Sequence, residues 1–197
     1  MALVTIAPPA LEPVALEMLK GYLRLDQGDT SQDGVLQALA ESAREWVEDY
    51  TRRRLITQTV RLTLDHFPGY MTNNIWAPLF LPLPPVQAVA SFTYIGQNGI
   101  PQAMVADVNY NADLLSSPAR LMPPWGSLWP CPRLVPSAVT IDLIVGYGDT
   151  PDKVPMAIRT AIMQLAATRF ENRLPDSGDV PKWIKAVLMG YRNLRLQ

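Results

Sequence analysis

One cysteine and one histidine, Cys131 and His66, are all that the 197-residue chain contains of those types. A lone cysteine excludes an intrachain disulfide and is compatible with a reducing compartment. The shortage of soft ligands argues against zinc. A Cys–His dyad would require Cys131, set between two prolines, to meet His66 at a strand end. A serine triad would have to use the same histidine, and the chain has no G-x-S-x-G turn. Charge is also scarce. Charged residues make up 18% of the chain, below the usual quarter, and the formal net charge is −1. A nucleic-acid binder normally carries a basic excess. No run of 18 apolar residues is present, and MALVTIAPPALEP lacks the basic start of a secretory signal, so neither a membrane span nor secretion is expected.

Other chemical motifs are incomplete. Asp26, Asp29 and Asp33 depart from calcium-loop spacing and suit turns and helix capping better. GYGD at 146–149 follows a strand but belongs to neither phosphate-binding glycine pattern, so it is expected to form a turn. Glu41, Glu45 and Glu48 could supply paired carboxylates only across a cleft. Their spacing instead places them opposite an apolar helix stripe, on a solvated face. No catalytic, cofactor-binding or metal-binding residue is assigned, and the chain is expected not to be an enzyme.

What is present is a clear change of period. Residues 13–24 read as a helix. The clearest element spans about 34–53, where Leu36, Leu39, Ala40, Ala43, Trp46, Val47 and Tyr50 share one stripe. Glu41, Arg44, Glu45, Glu48 and Asp49 take the remaining face, and Arg52, Arg53 and Arg54 close the end favoured by cations. From Thr59 the period becomes two: Val60, Leu62 and Leu64 alternate with polar residues. Further strands are expected at 79–83, where Pro82 implies an edge or lead-in, at 88–95 and at 138–145. Asn98-Gly99 signals a hairpin. Between Asn111 and Pro136 no regular period survives, and PPWGSLWPCPRLVP alone holds five prolines. Two helices end the chain, at 154–172 and from about 181. Arg169 falls in the apolar stripe of the first, either snorkelling or as part of an ion pair. The second groups Ile184, Val187, Leu188, Tyr191 and Leu194.

The order predicts an α+β fold: a helical bundle built from N- and C-terminal helices, with a small antiparallel β subdomain inserted between them. The expected divisions are 1–54 for the N-terminal helices, 55–150 for the β-rich subdomain with its Pro/Trp loop, and 151–197 for the C-terminal helices. Tryptophan and arginine dominate interface energetics. Trp125, Trp129 and Arg133 in the irregular loop are therefore candidate partner-binding residues, as is Trp183, outside the stripe of the last helix.

Six segments together resemble a known family. They are AREWVEDYTRRRLITQTVRLTLDHFPG (43–69), LPLPPVQAVASFTYIGQNG (81–99), SSPARL (116–121), AVTIDLIVGYGD (138–149), VPMAIRTAIMQLAATRFENR (154–173) and PKWIKAVLMGYRNLR (181–195). In order and character they are similar to head–tail connector (adaptor) proteins of tailed bacteriophages. The nearest group has a β-rich insertion between its helices and is also found in gene transfer agents. The resemblance implies a structural virion protein at the head–tail junction, made in the host bacterial cytoplasm. It would form a homo-oligomeric ring beneath the portal, twelve copies being usual, and extend the DNA channel. Its partners would be itself, the portal protein and the next neck or tail protein, with DNA passing through unheld. The family's C-terminal docking segment falls here on about 181–197, adding Lys182, Tyr191, Arg192 and Arg195 to Trp183 as candidate contacts. The alternative is a neck or tail-completion module that does not touch the portal. Loop 122–136 and the first dozen residues depart from the family pattern.

Overall fold

The computed structural model of the chain describes residues 1–69, 76–172 and 180–193. Leu194 and Arg195 lie outside the described residues. Among the described residues, four α-helices and eight antiparallel strands give the expected α+β class. The chain divides into two compact units, a helical one of residues 9–56 and 147–197 and a sheet one of residues 1–8 and 57–146.

The helical unit joins both ends of the sequence. Its elements are α1 (Leu16–Leu23), α2 (Asp33–Thr51), α3 (Met156–Glu171) and α4 (Lys182–Met189). α2 forms where the apolar stripe predicts it, with Leu36, Ala40, Ala43 and Val47 buried. Trp46 and Tyr50 of that stripe are only partly buried and stack on each other, centroids 5.0 Å apart. α1 and α2 end on left-handed residues, Arg24 and Arg52, a common helix-ending geometry. The capping expectation for α2 is corrected. Gln32 occupies the cap without a side-chain bond. Asp33 is the first helical residue and pairs with the buried Lys20, while Asp29 accepts the Ser31 N–H in its own turn. α3 packs against α1, α2 and α4. Beyond the expected Ile158, Ala161, Ile162 and Leu165 it also buries Met163, Ala166 and Ala167, because a helix covered on several sides needs small residues all round.

The sheet unit holds a five-stranded sheet in the order β1 (Ala2–Ala7), β2 (Gln58–Leu64), β8 (Val139–Val145), β4 (Val86–Ile95), β5 (Pro101–Ala103). A three-stranded sheet runs β3 (Leu79–Phe80), β7 (Arg120–Met122), β6 (Asn111–Asp113). Alternation sets the main sheet: Val60 and Leu62 of β2 and Val139, Ile141, Leu143 and Val145 of β8 face a core shared with Leu79, Leu81 and Leu121. The hairpin joining β4 to β5 turns through Gly99 at φ 79°, with Asn98 Oδ1 accepting the Ile100 N–H. The region beyond Asn111 is not wholly irregular. β6 and β7 form within it, short enough to leave no readable period. Ala2–Ala7, grouped with the N-terminal helices in the expected 1–54 division, forms the edge strand β1 of the sheet unit.

Candidate interaction surfaces

The candidate contacts separate once side chains are placed. Trp125 and Trp129 sit four residues apart in one loop, with opposite fates. Trp125 is 99% exposed; Trp129 is 6% exposed. The Trp129 ring stacks on Phe67 at 4.9 Å and its Nε1–H donates to the Ala77 carbonyl at 2.9 Å. Trp129, expected as a partner contact, is packed in the core of its own unit, with apolar neighbours and its indole N–H satisfied. Arg133 is exposed. Its backbone N–H donates to the Ile95 carbonyl, and its guanidinium lies over the hairpin, 2.7 Å from where a Cβ on Gly99 would sit.

Beside Trp125 lies a groove of 300 Å³ lined by Tyr94, Met104, Val108, Pro124, Leu128 and Pro130, among others. The surrounding stretch is poor in charge. Residues 97–137 include only Asp107, Asp113, Arg120 and Arg133 as charged side chains. The same stretch exposes Ile100, Val105, Val108, Leu115, Met122, Trp125, Leu128 and Leu134. That much apolar surface on one segment is characteristic of a surface that meets a partner.

α4 is not a free tail. Ile184 and Leu188 are fully buried in the helical core, joined by Val180. The Tyr191 carbonyl accepts from Arg53 Nε at 2.5 Å, and Arg192 lies 5.2 Å over the Tyr50 ring. Tyr191 and Arg192 are therefore engaged within their own unit. Trp183, 48% exposed, points outward with Lys182, Val187 and Met189. Val187 belongs to the predicted stripe yet lies outside the core. Cutting away the segment from 181 would strip the core of Ile184 and Leu188, so the docking expectation has to be probed by surface substitution.

The charged face of α2 differs most from expectation. Glu41 and Glu45 are exposed, but Glu48 is 2% exposed. Its carboxylate accepts the Leu55 N–H at 2.9 Å and contacts Arg44 and Arg54, each at 3.3 Å. Arg44 is itself buried and bonds Glu12 through Nε at 2.9 and 3.1 Å. Glu48 thus closes the end of α2, where the chain turns back over the helix, and does not lie on a solvated face. Burial pushes its carboxyl above the usual glutamate range, opposed by the Leu55 N–H and the guanidiniums of Arg54 and Arg44. Glu12 is raised for the same first reason, with Arg44 opposing. Arg169 donates to Ser42 Oγ at 2.8 Å and, among the described residues, has no carboxylate at ion-pair distance. This agrees with snorkelling.

The ingredients of chemistry lie apart in role. His66 Nδ1 faces the Phe67 carbonyl, and Cys131 contacts the Gln97 amide. Among the described residues no group of three or more His, Cys, Asp or Glu could hold a metal ion, and no helix is long and apolar enough to cross a membrane. A second groove, of 540 Å³, is lined by residues 9–12 and 14–17 together with Gln37, Ala40, Glu41 and Pro151. Its ionisable side chains are glutamates, with no nucleophile beside them.

The fold has solved counterparts. Over 100% of this chain and 98% of the other, it matches a chain from the virion of a native gene transfer agent particle, at 21% identity and a TM-score of 0.78. With the same coverage it matches a chain from the neck of an empty particle computed with C6 symmetry, 22% identical with a TM-score of 0.77. A chain from the neck of a native particle computed with C12 symmetry is 22% identical, with a TM-score of 0.71. The fold is that of a gene transfer agent particle chain. No protein-family model and no curated protein matches the sequence.

Proposed function

We propose that this chain is a structural neck protein, a head–tail connector that assembles as a ring, twelve copies being the expected number, and joins the portal to the next neck or tail component. The observation that carries the reading is coverage. The likeness spans the whole of this chain and nearly the whole of chains from particle necks, so the reading draws on the entire fold and not on one segment of it. Sixfold and twelvefold symmetry in those necks favours a ring of copies. The surface supports it as well: residues 97–137 offer apolar area that repeated copies could cover, and many modest contacts in a closed ring add to a durable attachment.

In this reading Trp125 and Arg133 belong to contacts made by the sheet unit. Lys182 and Trp183 are the portal-facing contacts of α4, with Tyr191 and Arg192 holding that helix in place. Exposed Glu41 and Glu45 line the channel or face solvent, where carboxylates give DNA no grip. The work is mechanical: positioning, sealing and transmitting attachment.

Size-exclusion chromatography with light scattering, alone and with purified portal, tests this directly. Ring-sized assemblies, or portal-dependent association, are expected. Trp183→Ala with Lys182→Glu is expected to weaken portal association without lowering the melting temperature. A ring that ignores portal would favour a neck module without portal contact. A monomer under all conditions would end the proposal.

A further inference from the structure

β1 is the only strand of the main sheet exposed at every position. It hydrogen-bonds to β2 along one side, in regular register from Ala2 to Thr5. A bulge and then Pro8 and Pro9 end the strand, but Ala2–Thr5 itself carries neither device. No charged side chain occurs before Glu12. An uncharged, apolar, regular edge offers a row of unpaired backbone groups to another strand, and soluble proteins ordinarily blunt such edges.

The opposite edge of the same sheet is also open. β5 pairs with Thr93–Ile95 of β4, and among the described residues no strand pairs with Val86–Ser91 on that side. This stretch, VQAVAS, is uncharged too. Bulges against β8 bend it, and their extra residues, Gln87 and Ala90, are exposed. An ion pair crosses the sheet on its solvent-facing side, with Arg61 itself exposed. Arg61 of β2 bonds Asp142 of β8 at 2.7 and 2.9 Å, and Ser91 of β4 donates to the same carboxylate. That row ends at Val4, opposite Arg61, on one edge and at Ser91 on the other. Neither Ala2–Ala7 nor Val86–Ser91 carries a charged side chain of its own, so pairing the two strands sets no like charges of theirs against each other; the two bulges confine the straight part of the β4 edge to short runs.

Strand direction permits a head-to-tail pairing of the two edges. β1, β2, β8 and β4 alternate antiparallel, so β4 runs opposite to β1. A second copy in the same orientation therefore brings its β1 antiparallel to β4, collinear with β5 and in the unfilled stretch. We infer that β1 of one copy pairs with Val86–Ser91 of the next, continuing the sheet from subunit to subunit. This is strand addition between two different patches, the heterologous contact that a ring requires. The inference rests on the ring reading above and names the interface within it.

Crosslinking tests it with the full chain. In a Cys131→Ser background, Val4→Cys and Ala90→Cys are introduced singly and together, and a short bismaleimide is added to the assembled protein. The double variant is expected to give a ladder of multimers, and each single variant only monomers. Dimers from Val4→Cys alone would mean that β1 pairs with itself and would overturn the inference. So would rings seen by light scattering that yield no ladder, which would leave the neck reading standing. Failure of the parent chain to assemble, alone or with portal, would sink both. Val4→Lys with Ile6→Lys, both at exposed positions, is expected to weaken self-association at least tenfold at an unchanged melting temperature; undiminished association would count against the pairing.

Discussion

The two units handle charge in opposite ways. In the helical unit ions are drawn inside: Arg44 lies within 4 Å of Glu12, Glu41, Glu45 and Glu48, and Lys20 is buried against Asp33. In the sheet unit, residues 97–137 carry four charged side chains, Asp107, Asp113, Arg120 and Arg133, while large apolar groups stand in solvent. A buried ionic network contributes little net energy against an apolar substitute, but it punishes the loss of one partner heavily and so fixes one arrangement. An exposed apolar surface contributes nothing until something covers it. The helical unit is thus fixed in one arrangement, while the loop region of the sheet unit keeps apolar groups in solvent that only a partner, if bound, would make stabilising.

The sharpest way to break this contrast is Glu48→Ala. It leaves the Leu55 N–H without this acceptor and removes a carboxylate from Arg44 and Arg54. A loss of about 3–5 kcal/mol in urea denaturation is expected, as for breaking a buried pair. An effect within about 0.5 kcal/mol, typical of surface sites, would restore the solvated-face reading. The next test lies in the loop. Trp129→Ala should cost about 3–5 kcal/mol by emptying the space beside Phe67 and Phe92. Trp125→Ala should leave stability within about 0.5 kcal/mol and weaken assembly instead. Equal losses from the two would mean that the loop has no outward-facing anchor.

This pair of tryptophans also shows where sequence reasoning reaches its limit. Periodicity located α2, β2 and β8 because each repeats one pattern over many residues. It could not separate Trp125 from Trp129, because the distinction is made by Phe67, Phe92 and the Ala77 carbonyl, all distant in sequence. Glu48 failed for a related reason. Helical angle places it opposite the apolar stripe, but returning chain at Arg54 and Leu55 covers that side of the last turn. β1 left a different trace. ALVTIA has strand formers on both faces, so no alternation marks an inner side, and a strand whose residues are all exposed gives the pattern nothing to reveal. The proposed assembly has only a compositional trace in the sequence: few charges, outlying tryptophans and no complete chemical motif.

The smallest expected effect sharpens the contrast through pH. Glu48 has its carboxyl raised above the ordinary 4.5 by burial, so its contribution to stability is full below that value and fades as pH rises through the folded one. Asp142 has its carboxyl lowered below the ordinary 3.8, chiefly by the Arg61 hydrogen bond, so its contribution is present above that value and is lost as pH falls through the folded one. Acidifying from neutral toward 4.5 should therefore firm the helical unit, and further acidification should loosen the sheet unit first. Hydrogen exchange, followed separately in α2 and β8, reads the two limbs. Glu48→Gln should flatten the first and spare the second; Asp142→Asn should do the reverse. If Glu48→Gln keeps the parent slope between neutral pH and 4.5, that slope does not belong to Glu48, and the other raised carboxyl of the network, Glu12 beside Arg44, carries it instead.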